Sequence, residues 1–303
     1  MADELDDGLL IDEHLVAYSD DENEHTKPKA TTSTSHTDKA AEKKRKRREQ
    51  AKAQRRKKSA AFQEQVEAAR TVAMQPADLQ ADYLSALQRK AFPKLSELEL
   101  SEMRLAAAAF LETYQFTRER TLDNLSTFVR ECVCTDASAF QSASHPWMQA
   151  HGTPRILVIT GNAQRAADVA RALRPLLPSE ERPTKRRKGD KPTPKDTPAS
   201  SGPNVAKLFA RHFKVEEQAA WLETQVTPAA VGTPHRIQAL LDKDALHIEH
   251  LAAIIIDFSW TDAKNRTVLD TPETRDATLS LLSNTSLRAA LTRPSAPCQL
   301  ALY

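Results

Sequence analysis

Apolar positions change their period along the chain, and each change marks an expected boundary. Residues 1–58 carry few hydrophobic side chains, blocks of like charge and a Thr/Ser-rich patch at Thr31 to Thr37. Such a segment cannot bury enough apolar surface to offset the entropy of ordering it, which predicts a disordered tail. From Ser59 to about Val133 the composition turns to Ala, Leu, Gln, Glu and Arg, with Leu79, Tyr83, Leu84 and Leu87 at helical spacing and Pro76 and Pro93 as punctuation. Ser101, followed by Leu105, Ala108, Ala109 and Leu111 and then by Leu122, Leu125, Phe128 and Val129, predicts helices that dock an apolar stripe on another element. At Arg155 the period changes again. Ile156 to Ile159 is a short continuous apolar run, as expected of a central parallel strand buried on both faces.

Beyond that strand, Thr160-Gly161-Asn162 turns the chain, and Ala163, Ala166, Ala167, Ala170, Leu173 and Leu177 share one helical stripe closed by Pro178. Residues 179–203 are rich in Pro, Lys, Arg, Thr and Ser and predict a mobile insert with a KRRK patch. Val205 to Phe209 fits either strand or helix, Val215 to Gln225 is helical in pattern, and Ala229 to Val231 reads as a strand. Thr233-Pro234 then offers a capping hydroxyl and a proline at the first helical position, with Ile237, Leu240 and Leu241 on the helix's inner face. Leu251 to Ile256 is a second wholly apolar strand ending in Asp257. Thr271-Pro272-Glu273 opens a helix toward Leu291, and Cys298 to Tyr303 closes the chain as a strand. Alternating strands and helices imply an α/β fold with a single parallel sheet flanked by helices over 151–303, preceded by a helical lead-in over 59–150 and the tail over 1–58.

Composition sharpens this outline. With 28% charged residues, 17 Pro and only 6 Gly among 303 residues, one folded core with polar extensions is expected rather than two domains. The net charge of +2 conceals opposite ends of the tail, acidic over the first 24 residues and basic over Lys43 to Lys58. That basic run holds Lys43, Lys44, Arg45, Lys46, Arg47 and Arg48, a short spacer, then Arg55, Arg56, Lys57 and Lys58. Two clusters so spaced fit a bipartite nuclear import signal or a phosphate-binding arm, with a solvated helical face as the alternative. Cys132 and Cys134 are too close to pair easily and Cys298 is distant, so no disulfide framework or zinc spacing emerges, which suits a reducing compartment. No uninterrupted apolar run approaches the roughly 20 residues that cross a bilayer, so a soluble protein without membrane contact is expected.

Chemistry is constrained by what surrounds Asp257. A nucleotide hydrolase needs a glycine-rich loop ending in Gly-Lys-Ser/Thr to cradle phosphates and hold magnesium, and the chain has no Gly-Lys pair. No nucleophile elbow or dinucleotide-binding turn is present either. Asp257 lies at a strand's carboxyl end, where α/β sheets bind ligands, and reads either as a relic of the fold or as a metal ligand.

From Arg155 onward the order of motifs resembles the first RecA-like domain of DEAD-box RNA helicases. Where that family ends successive strands in Pro-Thr-Arg-Glu-Leu, Thr-Pro-Gly-Arg and Asp-Glu-Ala-Asp, this chain has Gly161-Asn162-Ala163-Gln164-Arg165, Thr233-Pro234-His235-Arg236 and Asp257-Phe258-Ser259-Trp260. The resemblance implies a degenerate pseudo-helicase half, because Phe258 replaces the carboxylate that orients water, and the phosphate loop, the Ser-Ala-Thr motif and a second RecA-like domain are missing. Together with the basic tail, the helical lead-in and VAKLFARHFK (Val205 to Lys214) ahead of VGTPHRI, this resembles a fungal and animal nucleolar family described as a subunit of the 90S pre-ribosome, the small-subunit processome. The implied role is a non-enzymatic, nucleolar ribosome biogenesis factor. Its partners would be pre-ribosomal RNA and small-subunit assembly factors, and it would need no cofactor, metal or small-molecule substrate. A protein-binding nuclear adaptor whose domain does not touch RNA is the alternative. By the same resemblance, Gly161, Asn162, Arg165, Thr233, Pro234, His235 and Arg236 would hold an RNA backbone or a partner, with Thr233-Pro234 equally a plain helix start. Asp257 would be a degenerate Walker B residue, and His235 and Trp260 candidate anchors for a protein partner.

Overall fold

The computed structural model describes residues 37–134, 140, 150–178, 203–211, 213–294 and 298–303, with backbone only for 37–44 and 62–70. The acidic segment of residues 1–24 and residues 179–202 of the insert expected over 179–203 lie outside the described residues. Two compact units are distinguished, Met1–Lys58 and Ser59–Tyr303.

In the first unit the described residues begin at Thr37 and are helical. Helix α1 spans Thr37–Val72 and carries the whole basic run. Ala, Lys, Arg, Glu and Gln dominate it, and each loses little side-chain freedom in a helix, so intrinsic propensity succeeds where burial is lacking. From Arg45 through Ala61 every side chain is exposed.

The second unit is built on five parallel strands, β1 (Ile156–Ile159), β2 (Val205–Leu208), β3 (Ala229–Gly232), β4 (Ala253–Ile256) and β5 (Gln299–Leu302), in the order β2-β3-β1-β4-β5. The segment 205–208, ambiguous by pattern, is thus an edge strand. Continuous apolar runs become strands because both faces are covered. Ile156 and Val158 face one core with Ala229, Val231, Ala253 and Ile255, while Leu157 and Ile159 face another with Ala230, Ile254 and Ile256. Helix α5 (Ala163–Leu173) covers the first face with Ala166, Val169, Ala170 and Leu173. Helices α6 (Val215–Leu222), α7 (Pro234–Asp242), α8 (Pro272–Leu282) and α9 (Thr285–Leu291) cover the second. Connections that step in opposite directions along the sheet put their helices on opposite faces, as a uniform crossover hand requires. The segment expected as one helix from Thr271 to Leu291 is broken at Asn284, whose side chain accepts from the N–H groups of Ser286 and Leu287 and caps α9.

The lead-in is only partly helical. Helices α2 (Ala77–Ala91) and α3 (Glu97–Met103) are followed by turns and a short α4 (Leu125–Phe128) that runs into a wider turn at Val129–Val133. Ser101 lies inside α3, and Ser96 supplies the cap through a reciprocal box with Glu99. Leu79 and Ala108 face solvent, whereas Gln80 and Gln88 are buried and donate to the carbonyls of Gln75 and Met103. The expected apolar stripe otherwise docks: α2 packs on the second face, and Phe116, Leu125, Phe128 and Val129 pack on the first. In passing from one face to the other the chain crosses the β5 edge, where Phe110 bridges Leu300 and the Leu111 N–H donates to its carbonyl at 2.8 Å. That contact protects an edge that would otherwise present unpaired backbone groups.

The carboxyl edge of the sheet as candidate site

Every motif turn lies at the carboxyl ends of the strands. β1 sits where the strand order reverses, since its connection leaves toward α5 and those of its neighbours β3 and β4 leave toward the other face. Thr160 ties two of the turns together, its N–H donating to the Gly232 carbonyl at 2.9 Å. Asn162 caps α5 by accepting the Arg165 N–H on its side-chain oxygen at 2.8 Å. Gly232 is required where β3 passes β2, because a Cβ there would overlap the carbonyl oxygen and Cβ of Leu208. Gly161 has no such need, a Cβ meeting Val268 only at ordinary contact distance.

Both motif arginines turn inward. Arg165 donates from Nε and Nη2 to the two carboxylate oxygens of Asp257 at 2.7 and 2.9 Å, and the pair is almost fully buried. Burial pushes the Asp257 carboxyl upward, and the Arg165 hydrogen bonds and charge pull it back. Arg236 donates to Gln218 Oε1 at 3.2 Å and to the Phe213 carbonyl at 2.9 Å, holding α7 to α6. A buried guanidinium must find partners, and in this structure those of both arginines are internal. Thr233 starts α7 through its backbone, with Pro234 buried behind it, and its hydroxyl makes no capping bond. Of that turn only His235 is exposed.

The residue after Asp257 is equally committed to packing. Phe258 is wholly buried against Tyr83 of α2, ring centroids 5.7 Å apart and nearly perpendicular. Its N–H and that of Ser259 both donate to the Tyr303 carbonyl at 2.7 Å. On the same side, Arg120 is buried and donates to the carbonyls of Leu302, Ala73 and Thr113. A concavity of about 160 Å³ remains between the β1 turn and the loop after β4, lined by Gly161, Asn162, Trp260, Arg266, Thr267 and Thr271. Trp260 stacks on Arg165, whose Cζ is 5.6 Å from the ring centroid, and Arg266 folds back on Asp262 at 2.8 and 3.0 Å. The structure thus brings Gly161, Asn162, Arg165 and Asp257 together, with Trp260 beside them. The basic run belongs to the other unit, with Arg45, Lys46, Arg47, Arg48, Arg55, Arg56, Lys57 and Lys58 exposed on α1 and Lys43 and Lys44 on its backbone path. Sequence reasoning missed the Arg165–Asp257 pair; its signal was the presence of a lone carboxylate at the end of an apolar strand, which needs a cation when buried. No described helix is long and apolar enough to cross a membrane.

A parallel α/β unit with its strand-end carboxylate bound by its own arginine, joined in sequence to a basic helix, defines the class. The particular family follows from comparison. Residues 25–303 match the family model CMS1, described as the U3-containing 90S pre-ribosomal complex subunit, and the chain belongs to that family. It is 32% identical to Protein CMS1 of Chaetomium thermophilum over 77% of this chain and 82% of that protein. It is 28% identical to Protein CMSS1 of Homo sapiens over 61% of this chain and 54% of that one. A solved complex of S. cerevisiae Dbp5 with Nup159 and Gle1 is loosely similar, at 13% identity and a TM-score of 0.34 over 75% of this chain and 45% of that chain.

Proposed function

We propose that this protein is a non-catalytic ribosome biogenesis factor of the small-subunit precursor, acting in the nucleolus. The observation that carries the proposal is the bidentate Arg165–Asp257 pair, read together with the family match. In a nucleotide hydrolase the carboxylate at this strand end must stay available to a hydrated cation. Here both of its oxygens are taken by Arg165, the next side chain is sealed into the core, and no glycine-rich phosphate loop exists. The remaining role is assembly. The exposed basic helix supplies electrostatic contact with pre-ribosomal RNA. The α/β unit docks on neighbouring assembly factors or RNA through the carboxyl edge, where His235 and the half-buried Trp260 are presented.

A second reading has specific support. Because Arg165 and Arg236 are spent internally, the motif turns offer RNA little fixed positive charge, which favours a domain that docks on protein while the basic helix alone meets RNA. The test is purification of the tagged protein from cells at near-physiological salt, with ultraviolet crosslinking and identification of bound RNA and protein. Recovery of small-subunit precursor RNA and processome proteins is the expected result. Crosslinks confined to α1 would select the second reading, and absence of pre-ribosomal material would overturn both.

A further inference from the structure

The basic segment of α1 is cationic around its whole circumference. At about 100° per residue, Arg45, Arg48, Lys52 and Arg56 cluster on one side of the helix, and Lys46, Arg47, Lys57 and Lys58 cluster on the opposite side. Arg55 lies between the clusters, and going round the axis no gap between successive cations exceeds about 80°. All nine side chains are exposed, and Glu49 is the single acidic residue of the stretch, 3.6 Å from Arg45. A helix that lies flat on a charged surface needs one cationic stripe, and a helix that binds a protein groove needs apolar anchors about one turn apart. This stretch has neither, its apolar residues being Ala51 and Ala53.

We propose that this helix inserts between two walls of phosphate in folded RNA, in a duplex major groove opened by an internal loop or bulge. The inference rests on the RNA-binding role proposed above and adds the geometry of the partner. A regular A-form major groove is deep and too narrow to be read by side chains, yet its facing phosphate rows are the arrangement that charges on opposite sides of one helix complement. A helix with side chains is about 10–12 Å across, so the groove must be widened to receive it.

The test uses the full chain and two variants. One carries Arg45→Gln, Arg48→Gln, Lys52→Gln and Arg56→Gln, and the other carries Lys46→Gln, Arg47→Gln, Lys57→Gln and Lys58→Gln. Each removes four charges from one side, and glutamine keeps the helix propensity, which circular dichroism verifies. Affinity is measured against salt concentration for an RNA hairpin containing an internal loop, for an unstructured RNA of the same length, and for polyglutamate. Insertion predicts that both variants flatten the log–log salt slope for the hairpin by similar amounts, about two to four each, and that the hairpin binds tighter than the single strand. A slope change in only one variant would place the phosphates on one side and overturn the insertion while leaving RNA binding intact. No change in either would overturn the RNA role of the helix itself. Equal binding of the single strand or of polyglutamate would show a site for any polyanion and overturn the groove.

Discussion

Arg165 and Asp257 form the pair on which the carboxyl edge depends, and burial makes breaking it costly. Arg165→Ala would strand a carboxylate that is 2% exposed, and the expected loss is about 3–5 kcal/mol in urea unfolding. Burial already holds the Asp257 carboxyl above its ordinary value, and without the arginine that opposes it the folded-state pKa rises further above the unfolded one. The stability of the variant is then greatest at acid pH and falls as pH rises through the folded pKa, a profile that unfolding between pH 4 and 8 checks. Replacing both partners, as in Arg165→Met with Asp257→Leu, should recover much of the loss, because no charge is left unpaired. Cys298 offers a separate check at this scale: it is fully buried, its thiol is pushed up to about 12 by burial, and it should resist alkylation at pH 8 until denaturant is added.

At the scale of the element, two helices that begin at motif turns start by different means. Asn162 caps α5 with its side chain, so Asn162→Ala is expected to cost about 1 kcal/mol. Thr233 gives α7 no hydroxyl bond, so Thr233→Val should leave the unfolding midpoint nearly unchanged, and a loss equal to that of Asn162→Ala would contradict the geometry. Gly232→Ala forces a methyl against the Leu208 backbone, and thermal unfolding should show a loss of about 1–3 kcal/mol from overpacking and displacement of β2. Strands β1, β3, β4 and β5, with α5 and α7, were legible because each combines a strong apolar pattern with a turn, whereas β2 fitted strand and helix alike. The lead-in was less so: its helices give way to turns because Phe110 and Leu111 serve the β5 edge and Arg120 serves three carbonyls, long-range demands that leave no local period.

For the whole molecule, the proposed role predicts that chemistry at the carboxyl edge is dispensable while its packing is not. The paired Arg165→Met and Asp257→Leu variant, which lacks the strand-end carboxylate, should support growth and co-purify with pre-ribosomal material as the parent does. Failure to do so in a stably folded variant would point to a reaction at Asp257. Removing residues 1–58, which hold the basic clusters of α1, should flatten the salt dependence of RNA binding by the whole chain, measured by titration at several salt concentrations.

The sequence alone determined the parallel sheet, the positions of its turns and the absence of a phosphate loop, because these rest on local patterns: doubly buried strands read as continuous apolar runs, and a missing Gly-Lys pair needs no folding to be seen. It also located the basic run, and gave its helical form as one of two alternatives. Only the tertiary structure decided what the motif arginines do. Arg165 and Asp257 are 92 residues apart in the chain, and Arg236 reaches a carbonyl 23 residues away. Whether a guanidinium points to solvent or to a buried acceptor depends on which strands are neighbours and which helix covers them, and no local pattern of residues carries that information.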